Sequence, residues 1–438
     1  MRKESPKLLI ADTKGKIYDV PWLQASGMKG GECFRLNRAD LVELHPDSEF
    51  FLLPSRVPAG YDTELGRYVS LEHNPLVNKD EPCFPVAVFM APGLTTTFNP
   101  AYTERAGADP LPLFSYAAVA LYKDRFYAAG YRVDREKRQE LEGMDVRRVR
   151  ENIKAFRKIF PGNRLVRHLE TCALSYCCPA AKNFFLKRYE CPLPASTHCN
   201  ARCIGCISYQ PGGKVPVTQP RITFTPTAEE IAEAAVFHIR EVRDPVVSFG
   251  QGCEGEPLMA GDVLEKAVKL IRQRTRGGII NLNTNASRPD VVKRLFDSGL
   301  DSMRVSMNSV RKPFYDAYYM PRGYTFGDVL RSIKNAKAAG GFVSINYLVM
   351  PGFTDSTAEA GALKHFLDRT NADMIQWRNL NYDPLAYFGK MKTAVKPEDM
   401  IGVDTLIRQI RSQYPRLMHG YFNPSKARIR RAGRKRAT

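Results

Sequence analysis

The chain has 438 residues, of which 44% are hydrophobic and 25% are charged, and this composition excludes disorder of the whole chain. Its formal net charge of +19 predicts attraction to anions, without choosing among nucleic acid, phosphorylated metabolites, acidic peptides and membrane surfaces. No apolar run is long enough to span a membrane, and the first residues do not resemble a signal peptide. We therefore expect a cytoplasmic protein whose ten cysteines are candidates for metal ligands rather than for structural disulfides.

Residues 1–144 are predicted to form a β-rich N-terminal domain of unknown role. Short apolar runs in this part of the chain are separated by Gly, Pro, Asn and Asp, which is typical of strands joined by tight turns. Lys123-Asp124 lies between two of these runs and predicts a hairpin. This segment contains no motif with recognisable chemistry.

Residues 145–188 are predicted to form a basic helical linker. Apolar side chains recur three or four positions apart from Val149 to Phe160, and Pro161-Gly162 ends the pattern. Eight Lys or Arg lie between Arg147 and Arg167. They could neutralise phosphates, or they could simply form a solvated helix face.

Residues 189–390 alternate between apolar strands and amphipathic helices. Repeated βα units predict a parallel sheet or barrel, with about six strands when one just before Cys199 is included. Residues 391–425 are expected to add a C-terminal helix and strand. Residues 426–438 contain seven Lys or Arg in thirteen positions, and we expect a disordered basic tail there.

The strongest chemical motif is a cysteine triad, Cys199, Cys203 and Cys206, with the spacing C-x-x-x-C-x-x-C. Three thiolates from one short loop can bind one 4Fe–4S cluster, which usually takes four cysteines. The fourth iron would then keep an open coordination position, as catalytic metal centres do. The alternative is a structural zinc site completed by His198 or by a distant cysteine. Zinc sites more often use two C-x-x-C pairs, and the spacing therefore favours the cluster.

The triad and the βα series that follows it resemble the radical S-adenosylmethionine (SAM) superfamily. Further segments resemble motifs of that family in the expected order, each at the end of a predicted strand. They are Gly252–Leu258, Asn283–Asn285, Arg304–Ser309 and Val349–Asp355. The resemblance implies an α/β fold, a partial (β/α)6 TIM-like barrel, here preceded by the β-rich domain and the helical linker. It also implies a 4Fe–4S cluster on the triad and SAM bound to the open iron.

The resemblance further implies which residues contact SAM. These cofactor-binding candidates are Gly255, Glu256, Thr284, Ser306 and Asn308. A carboxylate can accept hydrogen bonds from the ammonium group of SAM, and strand alternation places the two candidates of the fourth strand on one face. No catalytic residue is assigned. The chain departs from the family just before the third cysteine, where many members have an aromatic residue near the adenine and this chain has glycine.

The implied function is reductive cleavage of SAM to a 5′-deoxyadenosyl radical, which then modifies a larger substrate, either a peptide or protein or an RNA. An electron donor such as flavodoxin or ferredoxin is expected as a partner, and no membrane is. The alternative function is a zinc-stabilised nucleic-acid-binding protein without redox catalysis, in which the triad is structural and the basic tail makes the contacts.

Further cysteines lie upstream of the triad, at Cys172, Cys177, Cys178 and Cys191. They could bind an auxiliary iron–sulfur cluster, or they could be buried thiols that pack as small apolar side chains. The second interpretation is slightly favoured. Cys172 and Cys178 lie six positions apart in a predicted helical stretch, and positions i and i+6 of one helix share a face poorly.

Overall fold

The structure is a computed structural model that describes residues 4–212 and 215–437. It is an α/β molecule in which a β-rich N-terminal region precedes three helices and a curled parallel sheet. Within the described residues, no helix combines the length and the apolar composition that crossing a membrane requires.

The N-terminal region consists of short strands that pair antiparallel throughout. Its main sheet has eleven strands. The predicted hairpin at Lys123-Asp124 is present, because both residues adopt the positive φ, 49° and 55°, that a tight two-residue turn needs. The strands are β1 Lys7–Ala11, β2 Ile17–Gln24, β3 Ser26–Lys29, β4 Glu32–Arg35, β5 Leu41–Glu43, β6 Glu49–Leu52, β7 Arg56–Asp62, β8 Arg67–Ser70, β9 His73–Asn74, β10 Asn78–Pro82, β11 Phe84–Phe89, β12 Leu94–Thr96, β13 Asn99–Pro100, β14 Tyr102–Glu104, β15 Ala117–Tyr122 and β16 Arg125–Arg132.

The segment predicted as a helical linker is helical. It forms α1 Val146–Ile159, α2 Arg164–Leu174 and α3 Pro179–Phe185. Asp145 and Asn163 cap the first two helices through their side chains, and Phe156 packs edge-on against Phe184 and Phe185. The basic residues of α1 lie opposite this apolar seam.

The remaining strands form one seven-stranded parallel sheet in sequence order, a partial barrel. The predicted fold class is therefore confirmed, with one strand more than the six expected. The strands are β17 Glu190–Pro192, β18 Val246–Phe249, β19 Ile279–Thr284, β20 Ser302–Met307, β21 Phe342–Val349, β22 Met374–Asn379 and β23 Met418–Gly420. The helices are α4 Ala228–Glu241, α5 Gly261–Arg274, α6 Pro289–Asp297, α7 Lys312–Tyr319, α8 Phe326–Ala338, α9 Thr357–Thr370, α10 Pro384–Met391, α11 Val403–Gln413 and α12 Lys426–Ala437.

The N-terminal region packs against the carboxyl end of β22. Asn379, the last residue of this strand, accepts a hydrogen bond from the Thr96 amide (2.8 Å) and donates one to the Leu94 carbonyl (3.1 Å). Buried Arg56 pairs at 2.8 Å with Asp383, the N-cap of α10. The β-rich region therefore lies beside the barrel edge at which parallel-sheet enzymes bind ligands.

The basic tail differs from its prediction, because Lys426–Ala437 form helix α12 where composition indicated disorder. Arg428 donates to the buried carboxylate of Asp134 at 2.9 Å, and the Ala427 amide donates to Asp244 at 3.1 Å. Both carboxylates belong to distant parts of the chain, so the sequence alone did not reveal that they anchor the helix. The last tail residue, Thr438, and residues 1–3 of the predicted N-terminal domain lie outside the described residues.

Candidate active site

The cysteine triad lies on the loop that follows β17, the first strand of the barrel. Cys199, Cys203 and Cys206 are half-buried there. The loop packs on the end of α7, where the Tyr318 and Tyr319 carbonyls accept hydrogen bonds from backbone amides of the loop at 3.0 and 2.9 Å. These carbonyls have no partner inside their own helix, because they belong to its last turn.

Glu254 connects the triad loop to the loop after β18. One carboxylate oxygen accepts from the Ala195 and Ser196 amides at 2.8 and 3.0 Å, and the other accepts from Gly250 and Gln251 at 2.7 and 2.8 Å. The side chain is only 4% exposed. Burial raises its pKa to about 7, against the lowering effect of the four amides. Sequence reasoning missed this role, although Glu254 lies inside the motif segment 252–258.

Gly255 and Glu256 lie directly against the triad loop. A Cβ at Gly255 would be 1.9 Å from the His198 carbonyl oxygen, so only glycine allows this approach. The Gly255 amide donates to Ser196 at 2.7 Å, and the Glu256 amide donates to His198 at 2.8 Å. The motif glycine therefore positions the backbone beside the cysteines.

The structure brings two further predicted residues together, Glu256 and Thr284. The buried Glu256 carboxylate accepts from the Thr284 hydroxyl, from the Asn285 amide at 2.8 Å and from the Leu258 amide at 3.1 Å. Burial raises the pKa of Glu256 to about 7. The ends of β18 and β19 thus meet beside the cysteine loop, as parallel topology requires.

The two candidates of the fourth strand have different surroundings. Ser306 is half-buried, and its Oγ accepts from Asn346 at 3.3 Å. Asn308, just beyond the strand, is fully buried, and its Nδ2 donates to the Phe314 carbonyl and to the Tyr387 hydroxyl, both at 3.1 Å. Its Oδ1 is buried without a hydrogen-bond partner among the described residues.

The glycine before the third cysteine is explained by Tyr318. A Cβ at Gly205 would be 2.6 Å from the Tyr318 hydroxyl and 3.3 Å from the Asn381 carbonyl oxygen. An aromatic side chain cannot fit at this position, because the α7 tyrosine already fills the space. The ring of Tyr318 lies 6.4 Å from that of Tyr387, which contacts Asn308. Tyr318 belongs to none of the motifs identified in the sequence.

Burial dominates the electrostatic surroundings of the triad. It raises the pKa of Cys199 to about 11 and that of Cys203 well above its usual value, so metal that binds these sulfurs has to displace their protons. Arg221 places its Nη2 3.6 Å from the Cys206 sulfur. A hydrogen bond or positive charge beside a cluster ligand also tunes the reduction potential. Arg221 was missed by sequence reasoning.

The described residues include only one group of three or more His, Cys, Asp or Glu ligand atoms that all lie within 4.8 Å of one another, and the triad is not that group. At least two of the triad sulfurs therefore lie more than 4.8 Å apart, which is wider than neighbouring donors around one zinc ion. His198, the fourth ligand of the zinc alternative, instead contacts the Thr197 hydroxyl at 2.6 Å.

The model of the radical SAM superfamily matches residues 193–362, from the residue after β17 into α9. The chain carries a radical SAM domain. The match contains the triad and all five predicted cofactor-binding residues, and the expected superfamily is therefore confirmed for this domain. Membership implies a 4Fe–4S cluster and SAM, and it places the domain among enzymes.

Solved structures that are similar to parts of this chain include radical SAM proteins. A radical SAM methyltransferase from Sphaerobacter thermophilus is 16% identical over 51% of this chain and 63% of its own, with a TM-score of 0.37. SuiB from Streptococcus suis, solved with its precursor peptide SuiA, is 15% identical over 54% and 50%, with a TM-score of 0.38. The hydrogenase maturase HydG from Carboxydothermus hydrogenoformans is 15% identical over 60% and 72%, with a TM-score of 0.33. The chain thus spans under two thirds of the first two structures, and no curated protein matches it significantly.

Proposed function

We propose that the chain is a radical SAM enzyme in which Cys199, Cys203 and Cys206 hold a 4Fe–4S cluster whose fourth iron binds SAM. Such a cluster supplies the electron that cleaves SAM reductively to a 5′-deoxyadenosyl radical, which removes a hydrogen atom from the substrate. One observation carries the proposal: the triad loop packs by backbone contacts on Gly255 and Glu256, within the segment that the family model matches.

The predicted SAM contacts gain support from their geometry. Glu256 is fixed by three donors beside the triad, and a carboxylate has further lone pairs for an ammonium group. Buried Asn308 keeps an acceptor oxygen without a partner among the described residues, and a ligand hydroxyl or ammonium would satisfy it. We assign the same role to Gly255, Thr284 and Ser306, as backbone or hydroxyl contacts at neighbouring strand ends.

The substrate is proposed to be a larger molecule, a peptide or protein or an RNA, that carries an anionic group. Two guanidinium groups support an anion in the barrel. Arg304 lies near Arg378, and burial together with this like charge lowers the pKa of Arg304 to about 9. Its Nε is buried without a partner among the described residues. A carboxylate or phosphate there would neutralise the charge and accept the hydrogen bond.

The proposal also includes an electron donor such as flavodoxin or ferredoxin and a cytoplasmic location. The cluster has to receive an electron for each SAM that is cleaved. The ten cysteines are all free thiols in the structure, which agrees with a reducing compartment.

The proposed activity is tested by anaerobic reconstitution with iron and sulfide, followed by reduction with dithionite and addition of SAM. We expect 5′-deoxyadenosine from the wild type and none from Cys203→Ala. The matched control is Cys177→Ala, which removes an exposed thiol outside the triad and should keep the activity. Undiminished product from Cys203→Ala would contradict the proposal.

The substrate class is tested by adding either RNA or a set of acidic peptides to the same assay. The class that contains the substrate should increase 5′-deoxyadenosine formation, and deuterium at the reacting position of that substrate should appear in the 5′-deoxyadenosine. If small carboxylic acids stimulate and neither polymer does, the substrate is not a macromolecule.

A further inference from the structure

A second group of metal-binding side chains lies outside the proposed cluster site. A ring nitrogen of His168 and the sulfurs of Cys172 and Cys253 all lie within 4.8 Å of one another. Residues 4–212 and 215–437 contain no other group of three His, Cys, Asp or Glu donors that is as close. His168 and Cys172 are 3.4 Å apart, since positions i and i+4 share one face of α2. Cys172 and Cys253 are 1% and 3% exposed.

The chain reverses after α2 and brings a third thiol towards this group. The helix ends at Leu174, and the Cys178 amide donates to the Cys172 carbonyl at 3.0 Å. The sequence had indicated a single helical stretch from Cys172 to Cys178. Because the helix ends between these two residues, their separation of six positions does not keep them apart. Gln219 lies against both Cys172 and Cys178.

We propose that His168, Cys172 and Cys253 form a mononuclear zinc site. Around one tetrahedral ion, with zinc–sulfur bonds of about 2.3 Å and zinc–nitrogen bonds of about 2.0 Å, neighbouring donors lie roughly 3.5–3.8 Å apart. The His168 Nε2 and the Cys172 Sγ are 3.4 Å apart, and the Cys253 Sγ belongs to the same group, within 4.8 Å. Imidazole and thiolate in a tetrahedral arrangement are typical of zinc. A cubane cluster needs thiolates that stand farther apart, since each binds a different iron.

The site would join two parts of the molecule that the proposed cluster site depends on. His168 and Cys172 belong to the linker helix α2, whereas Cys253 immediately precedes Glu254, which accepts two amide hydrogen bonds from the triad loop and two from the loop after β18. A zinc ion here would fix the loop after β18 against α2. Its role is to position the loop that carries Glu254 and Glu256, and it touches neither SAM nor substrate.

The auxiliary cluster considered from the sequence stays a prediction. Two of its four candidate cysteines differ in burial, since Cys177 is exposed and Cys191 lies fully buried in β17.

The test measures zinc and iron per chain in full-length protein purified anaerobically. The variant Cys199→Ala/Cys203→Ala/Cys206→Ala should lose iron and keep about one zinc ion, which separates this inference from the proposed enzyme activity. The variant Cys172→Ser/Cys253→Ser should lose zinc. If the double variant does not fold, His168→Gln takes its place, because this change affects only a half-buried residue at the surface of the helix. It should weaken zinc retention against a chelator, whereas Cys177→Ser should not.

Cobalt substitution in the triad variant gives an independent readout. Tetrahedral thiolate-bound Co²⁺ has intense visible bands, which we expect in this variant and not after the further change His168→Gln. The proposal is overturned if the triad variant holds no zinc. It is also overturned if zinc survives the loss of both Cys172 and Cys253, or if iron rather than zinc remains in the triad variant.

Discussion

The cysteine triad and the group of His168, Cys172 and Cys253 differ in burial, in the spacing of their donor atoms and in the elements that carry them. The triad lies on one loop within eight residues of sequence, is half-buried, and is too widely spread for a single ion. The group of His168, Cys172 and Cys253 has two buried thiols and a half-buried imidazole, is tight, and is assembled from a helix and a loop that are far apart in the chain. Local spacing therefore identifies a cluster loop, whereas a site that spans several elements appears only when the fold is known.

The largest expected effect comes from the residue between the two groups. Glu254→Ala leaves four buried amides without their acceptor, and we expect the free energy of unfolding to fall by at least about 3 kcal/mol. Both metal contents should fall with it. Denaturant unfolding and metal analysis measure these effects, with exposed Glu229→Gln as the control. A stable Glu254→Ala protein with a full cluster would show that the two groups are independent of this carboxylate.

A change at Gly205 should affect the triad alone. Gly205→Ala places a methyl group 2.6 Å from the Tyr318 hydroxyl, and we expect a loss of about 1–3 kcal/mol together with a lower yield of reconstituted iron. Tyr318→Phe removes that hydroxyl and should recover part of the loss in the double variant. Purely additive effects of the two changes would mean that Tyr318 does not limit the space at Gly205.

A smaller and purely electronic effect is expected at Arg221. Arg221→Gln removes the positive charge beside the Cys206 sulfur, and the oxidised cluster should be favoured by roughly 1 kcal/mol, a shift of about −50 mV for one electron. A redox titration followed by electron paramagnetic resonance measures the potential. The zinc content should not change. An unchanged reduction potential would show that the charge of Arg221 does not act on the cluster.

The smallest effect comes from pH and arises away from both groups. Burial lowers the pKa of His238 on α4 to about 4, so the unfolded chain binds its proton more readily below the usual value of 6.5. His238 should therefore stabilise the fold less as pH falls below 6.5, by about 1 kcal/mol between pH 7 and pH 5.5, with a sign opposite to that of buried Glu254 and Glu256. Denaturant midpoints at the two pH values, compared between the wild type and His238→Leu, isolate this contribution. An equal pH dependence in that variant would assign the effect to other groups.

The sequence predicted the parallel barrel, its strand-end motifs and the triad, because each depends on local periodicity or on spacing along one loop. It could not predict Tyr318 opposite Gly205, Arg221 beside Cys206 or the Asp134–Arg428 pair, because those contacts join residues that are distant in the chain. Glu254 lies inside a motif segment that the sequence had singled out. Only the structure shows that its carboxylate accepts hydrogen bonds from the triad loop, whereas the carboxylate of Glu256 accepts from residues 258, 284 and 285. The predicted domain boundaries and the SAM contacts themselves stay predictions.

The central claim is that the triad holds a cluster with one iron open to SAM. Electron–nuclear double resonance of the reduced, reconstituted protein with SAM labelled with nitrogen-15 in its amino group tests this directly. We predict a strong nitrogen coupling in the wild type and in Cys177→Ser, which changes an exposed thiol outside both cysteine groups. A reduced cluster whose spectrum shows no coupling to the labelled SAM would contradict the account.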